Sequence, residues 1–557
     1  MGDFEPAPPR RRGPGRTGRW PVATIGGAVA WTLAAALTPP HAGAQQTAPQ
    51  GSSERTLLPA PVVPVAPSLT REDVDDAVGL LDNTVTGLMD QTGIPGVAVA
   101  VVYKDEVIYE KTFGVREVGK PDPIDTDTVF LLASVSKPIA STVVAGLAGK
   151  ELFALSDPVS QYNPAFALGD PYVTEHATFI DLLSHRSGLF TGAGDFLEDL
   201  GFDRDTILGR IEQQPLDTFR SSYHYSNFGY TAGGEAAAVA AGKPFEDVAE
   251  EVLFDPLGMT RTSYRHADYL AHENRAHIHV RTGPEATTWA ARYDRNPDAE
   301  APAGGASSTI TDMAKFVRLQ LAEGEFGGEP VIARAPLAIT HRPHSVTGGN
   351  PGSAARAHFY GLGWNVSYDD EGRVELSHSG AFTLGTSTNV TMLPGEDLGI
   401  VVLTNGEPIG VPETIATIFM DIVRNGEQTV DWYPLFHRAF AAMAEADIAD
   451  ARAADPSGDP GEALPLEAYA GTYDNSYFGP ARVTLDGDAL TMALGPDEAP
   501  VSFALTRDVG GRFVFETIGE WGTGPSRALF EIGADGTPSR LTLGAYNTRG
   551  LGVFERP

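Results

Sequence analysis

From Thr70 onward, apolar residues fall at Val74, Ala77, Val78, Leu81, Val85 and Leu88. Steps of three and four place them on one face of a helix, and Thr70 with Asp73 makes a capping pair at its start. Gly93-Ile94-Pro95-Gly96 breaks that period. Val97–Tyr103 and Val107–Phe113 then read as two strands joined by a tight turn at Lys104-Asp105-Glu106. An apolar run ending at Ser134 is followed by a helical segment, Ile139 to Leu147, and the chain stays mostly helical and loop-rich to about residue 360. Strand character returns around Val374 and Leu376, in Thr386–Leu393 and in the buried run Leu398–Thr404, with a closing helix from Pro412 to Val423. Trp432–Ala449 is amphipathic, and Asp455–Gly461 is a Pro, Gly and Asp linker. Beyond Leu466 the period becomes two: Val483/Leu485, Leu490/Met492/Leu494, Val501/Phe503/Leu505, Phe513/Phe515 and Leu541/Leu543, with turns at Asp486-Gly487 and Asp535-Gly536. Short strands of this kind predict a small antiparallel barrel. The linker before it predicts a module that can be cut away, provided that its interface is small and polar.

The first 44 residues have a different texture. Arg10, Arg11, Arg12, Arg16 and Arg19 precede the uncharged apolar stretch Val22–Leu37, and Ala42-Gly43-Ala44 offers a small-x-small cleavage site before Gln45. This is the pattern of an export signal, and the apolar stretch is short for a membrane span. Residues 45–68, rich in Pro, Ala, Gln and Ser, read as a linker. The expected location is therefore periplasmic or secreted, with no membrane attachment after cleavage.

Composition narrows the chemistry. The chain has 557 residues, 42% apolar and 20% charged, which is ample for a large core and unlike a disordered chain. It has no cysteine, which excludes disulfides, thiolate metal sites and a cysteine nucleophile. A formal charge of −33 argues against nucleic acid and anionic membranes as partners. His266, His272, His277 and His279 cluster in sequence but lack a helical i, i+4 pairing, so no metal is assigned. Phosphate-loop, dinucleotide and Gly-x-Ser-x-Gly signatures are absent, and no cofactor is expected.

The candidate chemistry begins at Phe-Leu-Leu-Ala-Ser-Val-Ser-Lys, residues 130–137. If a helix starts near Ser134, then Ser134 and Lys137 share one face, and Pro138 suits a first turn. The helix dipole favours a serine alkoxide there, and a buried lysine can lose its proton and act as the base. Tyr225 and Asn227 form a Tyr-x-Asn pair. A phenol beside the lysine ammonium is expected to titrate lower and to relay the proton, while Asn227 can orient Lys137 and donate to a substrate carbonyl. His378-Ser379-Gly380 is expected on a strand edge, where His378 offers a donor or a conditional positive charge and Gly380 lets a substrate backbone lie close.

These motifs come with further blocks. They are Leu-Leu-Ser-His-Arg-Ser-Gly-Leu at 182–189, Pro-Leu-Gly-Met-Thr at 256–260, Pro-Ala-Gly-Gly at 302–305, Ser308-Thr309 with Asp312-Met313-Ala314, and Tyr-Gly-Leu-Gly-Trp at 360–364. Together they resemble the serine hydrolases related to class C β-lactamases, D-Ala-D-Ala carboxypeptidases, D-aminopeptidases and class VIII esterases. The resemblance implies an α/β (α+β) fold, with an antiparallel sheet flanked by helices and a mostly helical inserted region. The C-terminal barrel resembles a lipocalin-like domain found after some members. The implied layout is a signal at 1–44, a linker at 45–68, the hydrolase domain at 69–425, a connector at 426–465 and the barrel at 466–557. It also implies catalysis by Ser134, Lys137 and Tyr225, a substrate site at Asn227, His378, Ser379, Gly380 and Ala381, and an oxyanion hole from the N–H groups of Ser134 and Ala381. His185 is assigned a structural hydrogen-bonding role. The partner is a small-molecule or peptide substrate, and the barrel offers a surface for a homo-oligomer. The expected activity is acyl-enzyme hydrolysis of a D-amino-acid peptide or amide, or of a short ester. The alternatives are a class VIII-type carboxylesterase or β-lactamase, or a non-catalytic cell-wall-binding scaffold keeping the fold. His378 stands where β-lactamases usually carry a lysine, which weighs against carboxylate-bearing β-lactams.

Overall fold

A computed structural model describes residues 65, 67–283, 287–348 and 356–557. The export signal and most of the linker expected at 45–68 lie outside the described residues. Helix α1 (Arg71–Thr92) opens the fold, with Thr70 and Asp73 forming the capping box and Gly93 ending it in the left-handed region at φ 69°. Strands β1 (Gly96–Tyr103) and β2 (Glu106–Gly114) form a hairpin whose turn residues Lys104 and Asp105 both have positive φ, as a tight two-residue turn requires. β1 is buried along its whole length because it splits between two cores. Val97, Val99, Val101 and Tyr103 face α1 and a C-terminal helix, whereas Ala98, Ala100 and Val102 face the inserted region.

The remaining strands of this sheet come late in the chain: β3 (Ser345–Thr347), β4 (His358–Tyr360), β5 (Asn365–Tyr368), β6 (Val374–Phe382), β7 (Thr386–Leu393) and β8 (Leu398–Thr404). The order is β2-β1-β8-β7-β6-β5-β4-β3, antiparallel throughout. The N-terminal hairpin thus docks on the last strand, Val97 opposite Thr404, and the mostly helical region is inserted between them. The helix Val411–Asn425 covers the outer face together with α1.

A second eight-stranded sheet runs in simple sequence order from Gly471–Tyr473 to Val553–Glu555. Paired main-chain bonds between Asp474 and Glu555 (2.7 and 2.9 Å) bring its ends together. Its interior is filled by rings, such as Tyr469, Phe513 and Phe530, whose centroids lie 5.0–5.5 Å apart. The α/β body with a C-terminal barrel is therefore as expected. The barrel is not a loose module, however. Its residues Tyr477 and Phe478 share one hydrophobic core with Leu197, Leu200 and Phe202 of the inserted region. Tyr477 Oη accepts from Gly194 N–H (3.1 Å) and Gln214 Nε2 (2.5 Å), and Arg210 donates to its carbonyl (2.8 Å). The linker composition gave no sign of this interface, because its residues lie outside the linker, on both sides of it.

Candidate active site

Ser134 sits in a 3-10 turn, Ala133–Val135, one step before the α-helix Ser136–Gly149. The α-helix expected to start near Ser134 starts two residues later, at Ser136. Ala133 adopts φ 48°, a left-handed conformation that costs a non-glycine residue roughly 1–2 kcal/mol. The surroundings hold it there: Leu132 N–H donates to Ala306 (2.8 Å), and Thr388 Oγ1 donates back to the Leu132 carbonyl (2.7 Å). The helix behind is buried from Ser136 to Leu147, since it lies between the sheet and the inserted helices. Tyr264 and Tyr230 donate to the carbonyls of Ser136 (2.8 Å) and Lys137 (2.6 Å) and fix its first turn.

Lys137 is fully buried. Its Nζ lies 3.1 Å from Ser134 Oγ, 2.8 Å from Asn227 Oδ1 and 2.9 Å from the Ala303 carbonyl. Burial lowers its pKa to about 7, although Glu300 and Asp195 pull the other way. Tyr225 and Asn227 flank Ser226, which caps the helix Asn227–Ala241 by accepting from Gly229 N–H. The lysine Nζ stands 4.5 Å from the centre of the Tyr225 ring. Burial raises the Tyr225 pKa well above that of a free phenol, and its polar interaction with Ser134 offsets this only in part. The expected lowering of that pKa is therefore reversed. A lysine that is itself half-neutral near pH 7 cannot repay the desolvation of a phenolate.

His378 also departs from expectation. It is fully buried, with Nε2 3.2 Å from Tyr360 Oη and Nδ1 2.7 Å from the Ser379 carbonyl. Burial first, and Lys137 second, lower its pKa to about 3, so it carries no conditional charge in the physiological range. Ser379 and Ala381 line the cavity with Ser134, while the Ser379 hydroxyl accepts from Asn389 (3.1 Å). Gly380 has a use other than the one expected. A Cβ there would overlap the Leu132 carbonyl and stand 3.1 Å from Ser134 N, so the bare backbone admits the turn that carries Ser134 rather than substrate. His185 keeps its structural role: Nδ1 accepts from Ser226 N–H (3.1 Å), and its ring lies 4.4 Å from that of Tyr225. His279 likewise stitches loops, contacting Val118 N–H and the Asn405 carbonyl, each at 3.0 Å.

Ser134, Tyr225, Asn227, Ser379 and Ala381 face a cavity of about 880 Å³, with Lys137 and His378 buried behind them. Its far wall was not read from sequence. It comprises Asp447 and Ile448 of the helix Tyr433–Ala453 and Glu520, Trp521 and Tyr546 of the barrel. Glu300 also lines it, and Arg295 bridges Glu300 (3.0 Å) and Glu198 (2.7 Å) behind the surface. Burial raises the pKa of Glu300, Glu198 and Asp195, and moves Asp199 and Glu520 to about 7. These carboxylates outnumber the Arg295 guanidinium buried among them.

The family model described as Beta-lactamase matches residues 81–423, which hold Ser134, Lys137, Tyr225, Asn227 and His378. The chain belongs to the beta-lactamase family. The barrel matches a domain of unknown function, DUF3471, over residues 455–551. Among relatives, Penicillin-binding protein 4 of Amycolatopsis lactamdurans is 30% identical over 324 residues, 56% of this chain and 81% of that protein. Unguisins hydrolase ungD of Aspergillus violaceofuscus is 24% identical over 490 residues, 81% of this chain and 85% of that one. Among solved structures, the octameric penicillin-binding protein homologue from Pyrococcus abyssi superposes with a TM-score of 0.54 at 20% identity, covering 84% of this chain and 98% of that one. At that identity the last likeness speaks for the fold alone.

Proposed function

We propose that this beta-lactamase-family protein is an exported serine hydrolase that works through an acyl-enzyme. Its substrate would be a peptide or amide of the D-amino-acid type, or a short ester. The observation that carries the reading is a buried Lys137, its pKa lowered to about 7, placed 3.1 Å from Ser134 Oγ. A neutral amine at that distance takes the hydroxyl proton as Oγ bonds to the substrate carbonyl carbon. The carbonyl oxygen becomes an oxyanion and is held by the N–H groups of Ser134 and Ala381. The C–N or C–O bond then breaks, and the lysine ammonium, with Tyr225 as neutral relay, returns the proton to the leaving group. Water repeats the sequence in reverse to free Ser134. Asn227 Oδ1 and the Ala303 carbonyl hold Nζ in line throughout.

A carboxylesterase or β-lactamase would use the same steps. Two observations favour neutral or cationic substrates over carboxylate-bearing β-lactams. His378 is neutral, and Glu300 and Glu520 stand on the cavity wall. The test is fluorophosphonate labelling of Ser134, with turnover of a cephalosporin, p-nitrophenyl butyrate and D-alanine p-nitroanilide compared side by side. Labelling with turnover of the anilide or ester supports the reading. A protein that is neither labelled nor active on any of the three would be the non-catalytic scaffold instead.

A further inference from the structure

The barrel hairpin between Arg512–Glu516 and Pro525–Ile532 reaches back into the cavity. Its tip is held in one conformation. Gly519 has φ 81°, and a Cβ there would overlap the Asp199 carboxylate. Asp199 Oδ1 and Oδ2 accept from Glu520 N–H and Trp521 N–H, each at 2.9 Å. Thr517 Oγ1 accepts from Thr523 N–H (2.8 Å) and closes the base of the loop.

From that tip Glu520 makes three bonds to the turn that joins β6 to β7. Thr383 N–H donates to Oε1 (2.6 Å), Leu384 N–H donates to Oε2 (3.3 Å), and Thr383 Oγ1 donates to the Glu520 carbonyl (2.9 Å). Thr383 is two residues past Ala381, on the strand that Gly380 presses against the nucleophile turn. Docking alone gives no reason for a carboxylate at this position. Glu520 joins a wall already crowded with acids, where burial most of all and Asp199 oppose its ionisation, against Arg295 and the two N–H groups it accepts from. A carboxyl group held in so desolvated a place, its two oxygens each accepting a main-chain N–H beside the reaction centre, suits a part that sets geometry.

We propose that Glu520 of the barrel is a positioning residue of the catalytic centre, clamping the Thr383–Leu384 turn so that Ala381 N–H stays in register with Ser134. This rests on the serine-hydrolase reading above, with Ala381 as oxyanion donor. The two can fail separately. If the wild-type chain is neither labelled nor active, the hydrolase reading falls and takes this one with it. If wild type is active, the ratio of variant to wild type judges Glu520 alone.

The experiment uses the full-length chain and p-nitrophenyl butyrate or the best substrate found. Glu520→Ala is expected to lower kcat about a hundredfold with KM within threefold, the pattern of a misplaced oxyanion donor. Fluorophosphonate labelling should slow in parallel. Glu520→Gln, whose amide oxygen still accepts one N–H, should recover at least a third of the wild-type kcat. Gly519→Ala, which displaces the tip by striking Asp199 and leaves the Glu520 side chain itself unaltered, should reproduce the kcat loss. The proposal is overturned if folded Glu520→Ala retains kcat within twofold of wild type. It is equally overturned if the loss tracks melting temperature across all three variants, with no recovery in Glu520→Gln.

Discussion

The two walls of the cavity are built on opposite plans. On the family-domain side, the side chains of Ser134, Tyr225 and Asn227 and the Ala303 carbonyl converge on one buried amine. On the barrel side, carboxylates and rings from distant loops meet across an interface. The first wall carries its chemistry in short motifs because proton transfer tolerates little change in spacing. The second contributes shape and charge, which many arrangements of residues can supply. A wall of the first kind should fail abruptly when altered, and a wall of the second kind by degrees.

The largest effect expected is from Ser134→Ala, which should remove turnover and fluorophosphonate labelling while leaving the melting temperature near that of wild type. Lys137→Ala and Tyr225→Phe should each cost several orders of magnitude, and the double variant little more, as for groups that act as one unit. Additive losses would instead give the first wall the graded behaviour assigned to the second. Truncation after Asp455 removes Tyr477 and Phe478 from the shared core, and size-exclusion chromatography should find the remainder aggregated or unlabelled. A soluble, fully active truncation would reduce the second wall to an ornament. In the wild type, kcat/KM should fall about tenfold per unit of pH below about 7, as Lys137 becomes protonated and can no longer accept the Ser134 proton. The smallest change should be in the pH profile of His378→Ala. That variant should lose stability, by roughly 2–3 kcal/mol, yet keep the same profile between pH 5 and 8, because the imidazole is already neutral there.

Much of the first wall was legible in the sequence. The periods of α1, β1 and β2 and of the strands from Val374 to Thr404 were readable, but β3, β4 and β5 lie where the chain reads as helical and loop-rich or were not read as strands. Ser134, Lys137, Tyr225 and Asn227 came from spacing together with family resemblance. Three details needed coordinates. The shift of Ser134 into a 3-10 turn depends on Ala133 at positive φ, which no residue type announces. The burial of His378 follows from Tyr360, on a strand whose contribution was not foreseen. The raised pKa of Tyr225 is a property of its surroundings rather than of Lys137. Glu520 was out of reach for a different cause. It sits in an ordinary turn of a strand-rich segment, and only the docking of the barrel brings it to Thr383, 137 residues away in sequence.

The pairing of Val97 with Thr404 also bears on how the molecule is made. Strand β1 is apolar on both faces and has only β2 beside it until the whole inserted region and β8 have emerged. Such long-range closure is slow, because the ends of a large loop must meet before any contact rewards them. During that interval a two-sided apolar strand is open to pairing with another chain. Yield on refolding should therefore fall with protein concentration more steeply than stability alone would suggest.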